Sequence, residues 1–229
     1  MKIAIITGSS GNLGRAVVSR FIEEGYRVIG TVTPVDSGLP YYPADSFEKA
    51  IVDLTSEEES TQFIDSIVSK YGKVDVAVLT VGGFAMGKIA DTLSADILKQ
   101  YKLNFETAYH VARPVFTQMI KQNSGRIFFV GSKPGLSAEG GNGMVAYGLS
   151  KSLIVRLAEL MNIEAKGKNV TTSVVVPSTI DTPQNRNAMP NADFSKWVRP
   201  EDIANVICYH SSDEAAVLRE TLIKIYNNI

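Results

Sequence analysis

The run Val74-Asp75-Val76-Ala77-Val78-Leu79 is apolar at nearly every position, and Val174-Val175-Val176 is apolar at all three. A strand with one wet face alternates apolar and polar residues. These runs do not, so they read as strands covered on both faces. Similar β-rich runs fall at 2–6, 26–32, 48–52, 74–80, 126–131, 170–176 and 221–226. Helical periodicity fills 12–24, 57–71, 94–122, 145–166 and 200–211. A helix between two covered strands carries the chain back to start the next strand parallel to the last. The expectation is an α/β fold: one domain over 1–229, with a doubly wound, seven-stranded, mostly parallel sheet and helices on both faces.

Local end signals agree with this reading. Ser56 followed by Glu59 reads as a capping box. Gly72 and Gly167 suit helix C-termini, and Arg199-Pro200-Glu201 places proline in a first helical turn. Two segments read as irregular, 33–47 and 177–198. Both follow predicted strands. In open α/β sheets ligands bind beyond the carboxyl ends of strands, so both segments are expected to border a ligand.

The bulk numbers exclude several partners. The net charge is −1 and there is no basic stripe, so nucleic acid is not expected. The single Cys208 cannot form an intrachain disulfide and points to a reducing cytoplasm. No run is long enough to span a bilayer, and the start has no signal-peptide layout. His110 and His210 form no metal-ligand constellation, so no metal is expected.

Two motifs carry chemistry. Thr7-Gly8-Ser9-Ser10-Gly11-Asn12-Leu13-Gly14 follows the first strand and opens a helix. Glycines there permit a tight bend and close approach of a phosphate, which the free N–H groups of the helix start then bind. The spacing is Gly-x-x-Gly-x-x-Gly, and a lone glycine pattern is common in plain strand–turn–helix units. The second motif is Tyr147-Gly148-Leu149-Ser150-Lys151. On a helix it stacks a phenol and an ammonium on one face. That is either a surface pairing or a device for moving a proton.

Taken together, Thr7-Gly8…Gly14, Asp53, Asn104, Ser132, Tyr147-x-x-x-Lys151 and Pro177…Thr182 resemble the short-chain dehydrogenase/reductase family over nearly the whole chain, in the family's order. The resemblance implies a Rossmann-type sheet and an NAD(P)(H)-dependent oxidoreductase acting on a carbonyl, an alcohol or a C=N bond. It implies Tyr147 as general acid/base, with Ser132 bonding the reacting oxygen and Ser137 a minor rival. Lys151 would hold the nicotinamide ribose and, with the oxidised ring, lower the phenol's pKa. Asn104 would support a proton relay. Cofactor contacts are implied at Gly8, Ser10, Gly11, Asn12, Leu13, Gly14, Asp53, Leu54, Gly82, Tyr147, Lys151, Pro177, Ile180 and Thr182. Each residue also has a bland reading, as turn, packing or solvated charge.

Departures stand beside the matches. Thr80-Val81-Gly82-Gly83 replaces the family's Asn-Asn-Ala-Gly, so its asparagine bracing is gone. The Ser132–Tyr147 spacing is two residues longer than usual, a length that Gly140-Gly141-Asn142-Gly143 is able to absorb. Ser178 stands where Gly usually follows Pro177. The second strand ends at Val32 without a carboxylate, which leans towards NADP(H) over NAD(H). No cation replaces it there, although Arg15 is one phosphate contact to consider and Asp36 is able to reach back. The stretch from Thr179 to Trp197 is locally similar to quinonoid dihydropteridine reductase and bacterial relatives. Met189, Phe194, Trp197, Phe84, Met86 and Met144 are then pocket candidates or residues that pin the loop to the core, Trp197 suiting the pin at least as well, and Arg186 reads as a surface cation. Two alternatives stay open: a dihydropteridine-reductase-like enzyme, and a non-catalytic NAD(P)-binding regulator. By family analogy a homo-dimer or homo-tetramer is expected.

Overall fold

The computed structural model describes residues 1–34 and 39–227. Strands β1 (Ile3–Thr7), β2 (Arg27–Val32), β3 (Phe47–Ile51), β4 (Val76–Leu79), β5 (Ser124–Val130), β6 (Asn169–Pro177) and β7 (Leu222–Ile225) form one sheet. Its order is β3-β2-β1-β4-β5-β6-β7 and every neighbouring pair is parallel. The order reverses between β1 and β4, where the carboxyl ends open a crevice.

The helices are α1 (Asn12–Glu23), α2 (Glu57–Tyr71), α3 (Ser94–Tyr101), α4 (Thr107–Gln122), α5 (Lys133–Leu136), α6 (Val145–Glu164), α7 (Pro183–Ala188) and α8 (Pro200–His210). Successive side chains of a strand point to opposite faces. Ile5, Ala77, Ile127, Val174 and Val176 therefore pack with α2, α4 and α6, and Ala4, Ile6, Val76, Val78 and Val175 with α1 and α8. Both faces are covered, so the central strands show no polar alternation.

Three expectations need correction. The helix expected over 94–122 is three pieces, with a wider π-turn at Lys102–Glu106 between α3 and α4. Ser56 does cap α2, accepting from Glu59 N at 3.2 Å, but the Glu59 carboxylate accepts from Asp53 N instead of completing the box. The segment 177–198 is not wholly irregular: α7 and a 3-10 turn at Phe194–Lys196 lie within it. Strand β3 matches the strand expected over 48–52 to within one residue and is held there by its pairing with β2. Asp36 lies outside the described residues.

Candidate active site

The glycine turn closes on itself. Gly8 has φ +64, a left-handed conformation that favours glycine. Gly14 sits so close to the turn that an added Cβ would lie 2.1 Å from Gly8 O. Ser9 pins the turn to β2, its N–H and Oγ both donating to Thr31 O at 3.0 Å. Helix α1 starts after Gly11 with no side-chain cap and no acidic residue in its first turn. The positive end of the helix dipole is left for an external anion. Ser10, Asn12 and Leu13 lie on this turn and its first helical residues. Arg15 Nε donates back to Ser10 O at 2.7 Å, which keeps the guanidinium beside it.

Thr80 couples the turn to β4. Its Oγ1 donates to Thr7 O at 2.7 Å, and its N–H to Thr7 Oγ1 at 3.1 Å. The missing asparagine bracing is thus partly replaced by a threonine pair. Asn104, on the π-turn and 1% exposed, grips the next residues. Its Oδ1 accepts from Gly83 N at 2.9 Å, and its Nδ2 donates to Gly83 O at 3.0 Å, Gln100 Oε1 at 2.8 Å and Ser150 Oγ at 3.2 Å. Gly82 lies where Asn104 and Lys151 converge: a Cβ there would stand 2.6 Å from Asn104 Oδ1 and 3.3 Å from Lys151 Nζ.

Tyr147 and Lys151 occupy the first two turns of α6, as their spacing predicts. The ammonium lies 5.9 Å from the centroid of the phenol ring and donates to Val130 O at 2.8 Å. Lys151 is buried without a carboxylate partner, and burial pushes its pKa down to about 8. Burial also raises the Tyr147 pKa, with the Ser132 hydroxyl acting the other way. The expected lowering by Lys151 is therefore absent from the protein alone. Desolvation of the phenolate sets the direction here, and a bound cationic nicotinamide ring would be the remaining source of a downward shift. Ser132 Oγ is buried and makes no hydrogen bond of ordinary geometry, which leaves the Tyr147 phenol as its one neighbouring partner. Ser137 is exposed and its Oγ accepts from Gly140 N at 3.2 Å, which assigns it to a turn. The extra residues before Tyr147 form a 3-10 turn at Glu139–Gly141, and Gly87 N then donates to Gly143 O at 2.7 Å.

The matching family model, short chain dehydrogenase, covers residues 2–193. The chain belongs to the short-chain dehydrogenase family. It is an NAD(P)-dependent oxidoreductase. Among curated relatives it is 26% identical to the 3-oxoacyl-[acyl-carrier-protein] reductase of Thermotoga maritima, over 98% of this chain and 96% of that protein. It is 27% identical to the acetoacetyl-CoA reductase of an Acinetobacter species, over 96% and 95% respectively. A solved structure assigned to the short-chain dehydrogenases/reductases of Burkholderia xenovorans superposes with a TM-score of 0.85 at 25% identity, covering 98% of this chain and 95% of that one.

Within this short-chain dehydrogenase the other residues singled out by sequence fall at the same carboxyl edge or beside it. Asp53 is exposed and its Oδ1 accepts from Thr55 N and Oγ1, which lowers its pKa. Leu54 is buried behind it, and its carbonyl contacts His110 Nδ1 at 3.0 Å. Pro177 ends β6; Ile180 bridges to Val198, and Thr182 caps α7, accepting from Asn185 N at 3.1 Å. Phe84 stands edge-on to Tyr147, centroids 5.1 Å apart, and is largely exposed with Met86. Trp197 is buried against Phe194, so it pins the loop and offers a substrate little surface. Arg186 is exposed, but forks onto Asp181 at 2.6 and 2.7 Å and lies over the Phe194 ring. Sequence reasoning missed Gln100, Ser150 and Gly83, the partners of Asn104. Their signal was Gln100-x-x-x-Asn104, a helical i,i+4 pair of amides.

Proposed function

We propose that Ser132, Tyr147, Lys151 and Asn104 form the catalytic set of a carbonyl reductase, and that the Gly8–Gly14 turn seats the cofactor pyrophosphate. The observation that carries this is the convergence of the buried Ser132 hydroxyl on the Tyr147 phenol, with the Lys151 ammonium one helical turn away. A buried hydroxyl without a partner is costly unless a ligand completes it. The glycine turn and uncapped helix fit a dinucleotide: small residues leave room, and free N–H groups meet the phosphates. The bound nicotinamide supplies or accepts the hydride. Tyr147, neutral in the free protein, delivers the proton to the substrate oxygen, or takes it in reverse. Ser132 donates a hydrogen bond to the same oxygen and fixes it. Lys151 holds a ribose hydroxyl, and Asn104 keeps Gly83 and the π-turn in place around it. The relatives' named substrates, a 3-oxoacyl thioester and acetoacetyl-CoA, are ketones, which supports this reaction class.

NADP(H) is the favoured cofactor. Val32 ends β2 buried and without a carboxylate to repel a 2′-phosphate, and Arg15 lies beside the turn. Calorimetric titration is expected to give tighter binding of NADPH than of NADH. Equal affinity would remove the preference, and no binding of either at millimolar concentration would remove the cofactor site. A second reading, reduction of a flat pterin-like ring, is favoured by the exposed Phe84 beside Tyr147. Cofactor oxidation by quinonoid dihydropterin above the spontaneous rate selects it.

The enzyme is proposed to be a homo-dimer or homo-tetramer in the cytoplasm. Leu149, Leu153, Leu160 and Ile163 leave a strip of α6 exposed, and a second copy offers the cover that water does not. Light scattering at micromolar concentration is expected to show at least twice the 24.9 kDa chain mass. A monomer overturns the assignment.

A further inference from the structure

Six buried polar side-chain atoms have no hydrogen-bond partner among the described residues. Ser60 and Thr172 lie inside α2 and β6, Arg20 lies on α1, and Ser212 follows α8. Only Ser132 and Ser178 stand just past the carboxyl ends of strands. Ser132 has a role in the reaction proposed above. Ser178 has none, and it occupies the position after Pro177 that glycine usually fills.

Its placement is well defined. Val130 pairs with Val175, and continuing that register puts Ser178 one residue past the level of Ser132 on the adjacent strand. Ser178 N donates to Ile225 O at 3.0 Å, so the backbone is still held as in the sheet. Alternation then carries the side chain to the face of Val174 and Val176, the face covered by Ile154 and Ala158 of α6. Lys151 stands one turn before Ile154 on that helix. The hydroxyl is nine-tenths buried. Leaving such a group unpaired disfavours the free protein.

We infer that Ser178 is a positioning residue whose hydroxyl pairs with the carboxamide of the bound nicotinamide. The inference rests on the cofactor site proposed above. A carboxamide offers one acceptor oxygen and two donor hydrogens, so it suits a hydroxyl in either sense. Glycine at this position leaves the carboxamide with one partner fewer. The serine therefore orients the ring as well as admitting it.

The test compares two ligands on the intact protein. Calorimetry measures the affinity of Ser178→Ala for the preferred reduced dinucleotide, and for ADP-ribose or its 2′-phosphate, which lack the nicotinamide. Expected is a loss of about 3- to 12-fold for the dinucleotide, the worth of one hydrogen bond. Affinity for the truncated ligand stays at the wild-type value, and Ser178→Thr, which keeps the hydroxyl, recovers most of the loss. The melting temperature of the free Ser178→Ala protein does not fall, since the removed hydroxyl had no partner. Unchanged dinucleotide affinity overturns the inference. Equal weakening of both ligands, or a lower melting temperature, also overturns it and assigns Ser178 a structural role. If the wild-type protein binds no dinucleotide, the cofactor site itself fails and this inference with it. If it binds but Ser178→Ala is silent, only the inference fails.

Discussion

Replacing Tyr147 with Phe is expected to lower turnover by about 100- to 10,000-fold, the usual worth of a positioned general acid. Cofactor affinity should change little. The phenol ring packs edge-on to Phe84, and Phe keeps that contact. What is lost is one O–H at the atom that Ser132 acts upon. Steady-state kinetics on a ketone panel, beside calorimetry with the preferred cofactor, separates the two effects. Loss of turnover with loss of binding would mean that the ring, and not the proton, was needed. Turnover within tenfold of wild type would remove Tyr147 as the acid. Because burial raises its pKa, the phenol is protonated in the free enzyme at neutral pH, which is the form that reduction needs.

The sheet was legible because its strands are covered on both faces, and continuous apolar runs such as that ending in Leu79 have few other uses. The Tyr147–Lys151 pairing was legible for a similar reason, since helical spacing alone brings them together. The break around Asn104 was not. Its π-turn stabilises itself through Gly83, Gln100 and Ser150, and contacts between distant segments leave no periodic trace. The lowering of the phenol's pKa was expected from Lys151 and an oxidised nicotinamide together, and in the protein alone burial sets the opposite direction. Helical spacing can be read from sequence, but the burial that shifts both groups cannot. Trp197 shows the same limit in packing. Its type suits a pocket wall or a loop pin equally, and only the Phe194 contact and its burial select the pin.

Replacing Lys151 with Met is expected to raise the stability of the free protein while abolishing most of its activity. The ammonium is buried, and its one hydrogen bond goes to Val130 O. Burial depresses its pKa from 10.5 to about 8, which costs the folded state on the order of 3 kcal/mol while the group is charged. Methionine fills similar volume without that cost, but leaves the Val130 carbonyl unpaired and returns about 1–2 kcal/mol of the gain. A net rise in melting temperature of roughly 2–8 °C follows for a chain of this size. The pH dependence identifies the cause. Between about pH 8 and 10.5 the unfolded chain holds this proton more tightly than the folded one, so wild-type stability gains with rising pH across that window. The difference between variant and wild type is therefore greatest below pH 8 and shrinks towards pH 10.5. Thermal melts of both proteins from pH 6.5 to 10.5, roughly the span set by these values, measure it directly. A variant less stable than wild type at pH 7 would show that Lys151 holds the fold together. A more stable variant without turnover would show that the fold carries the charge for the reaction alone.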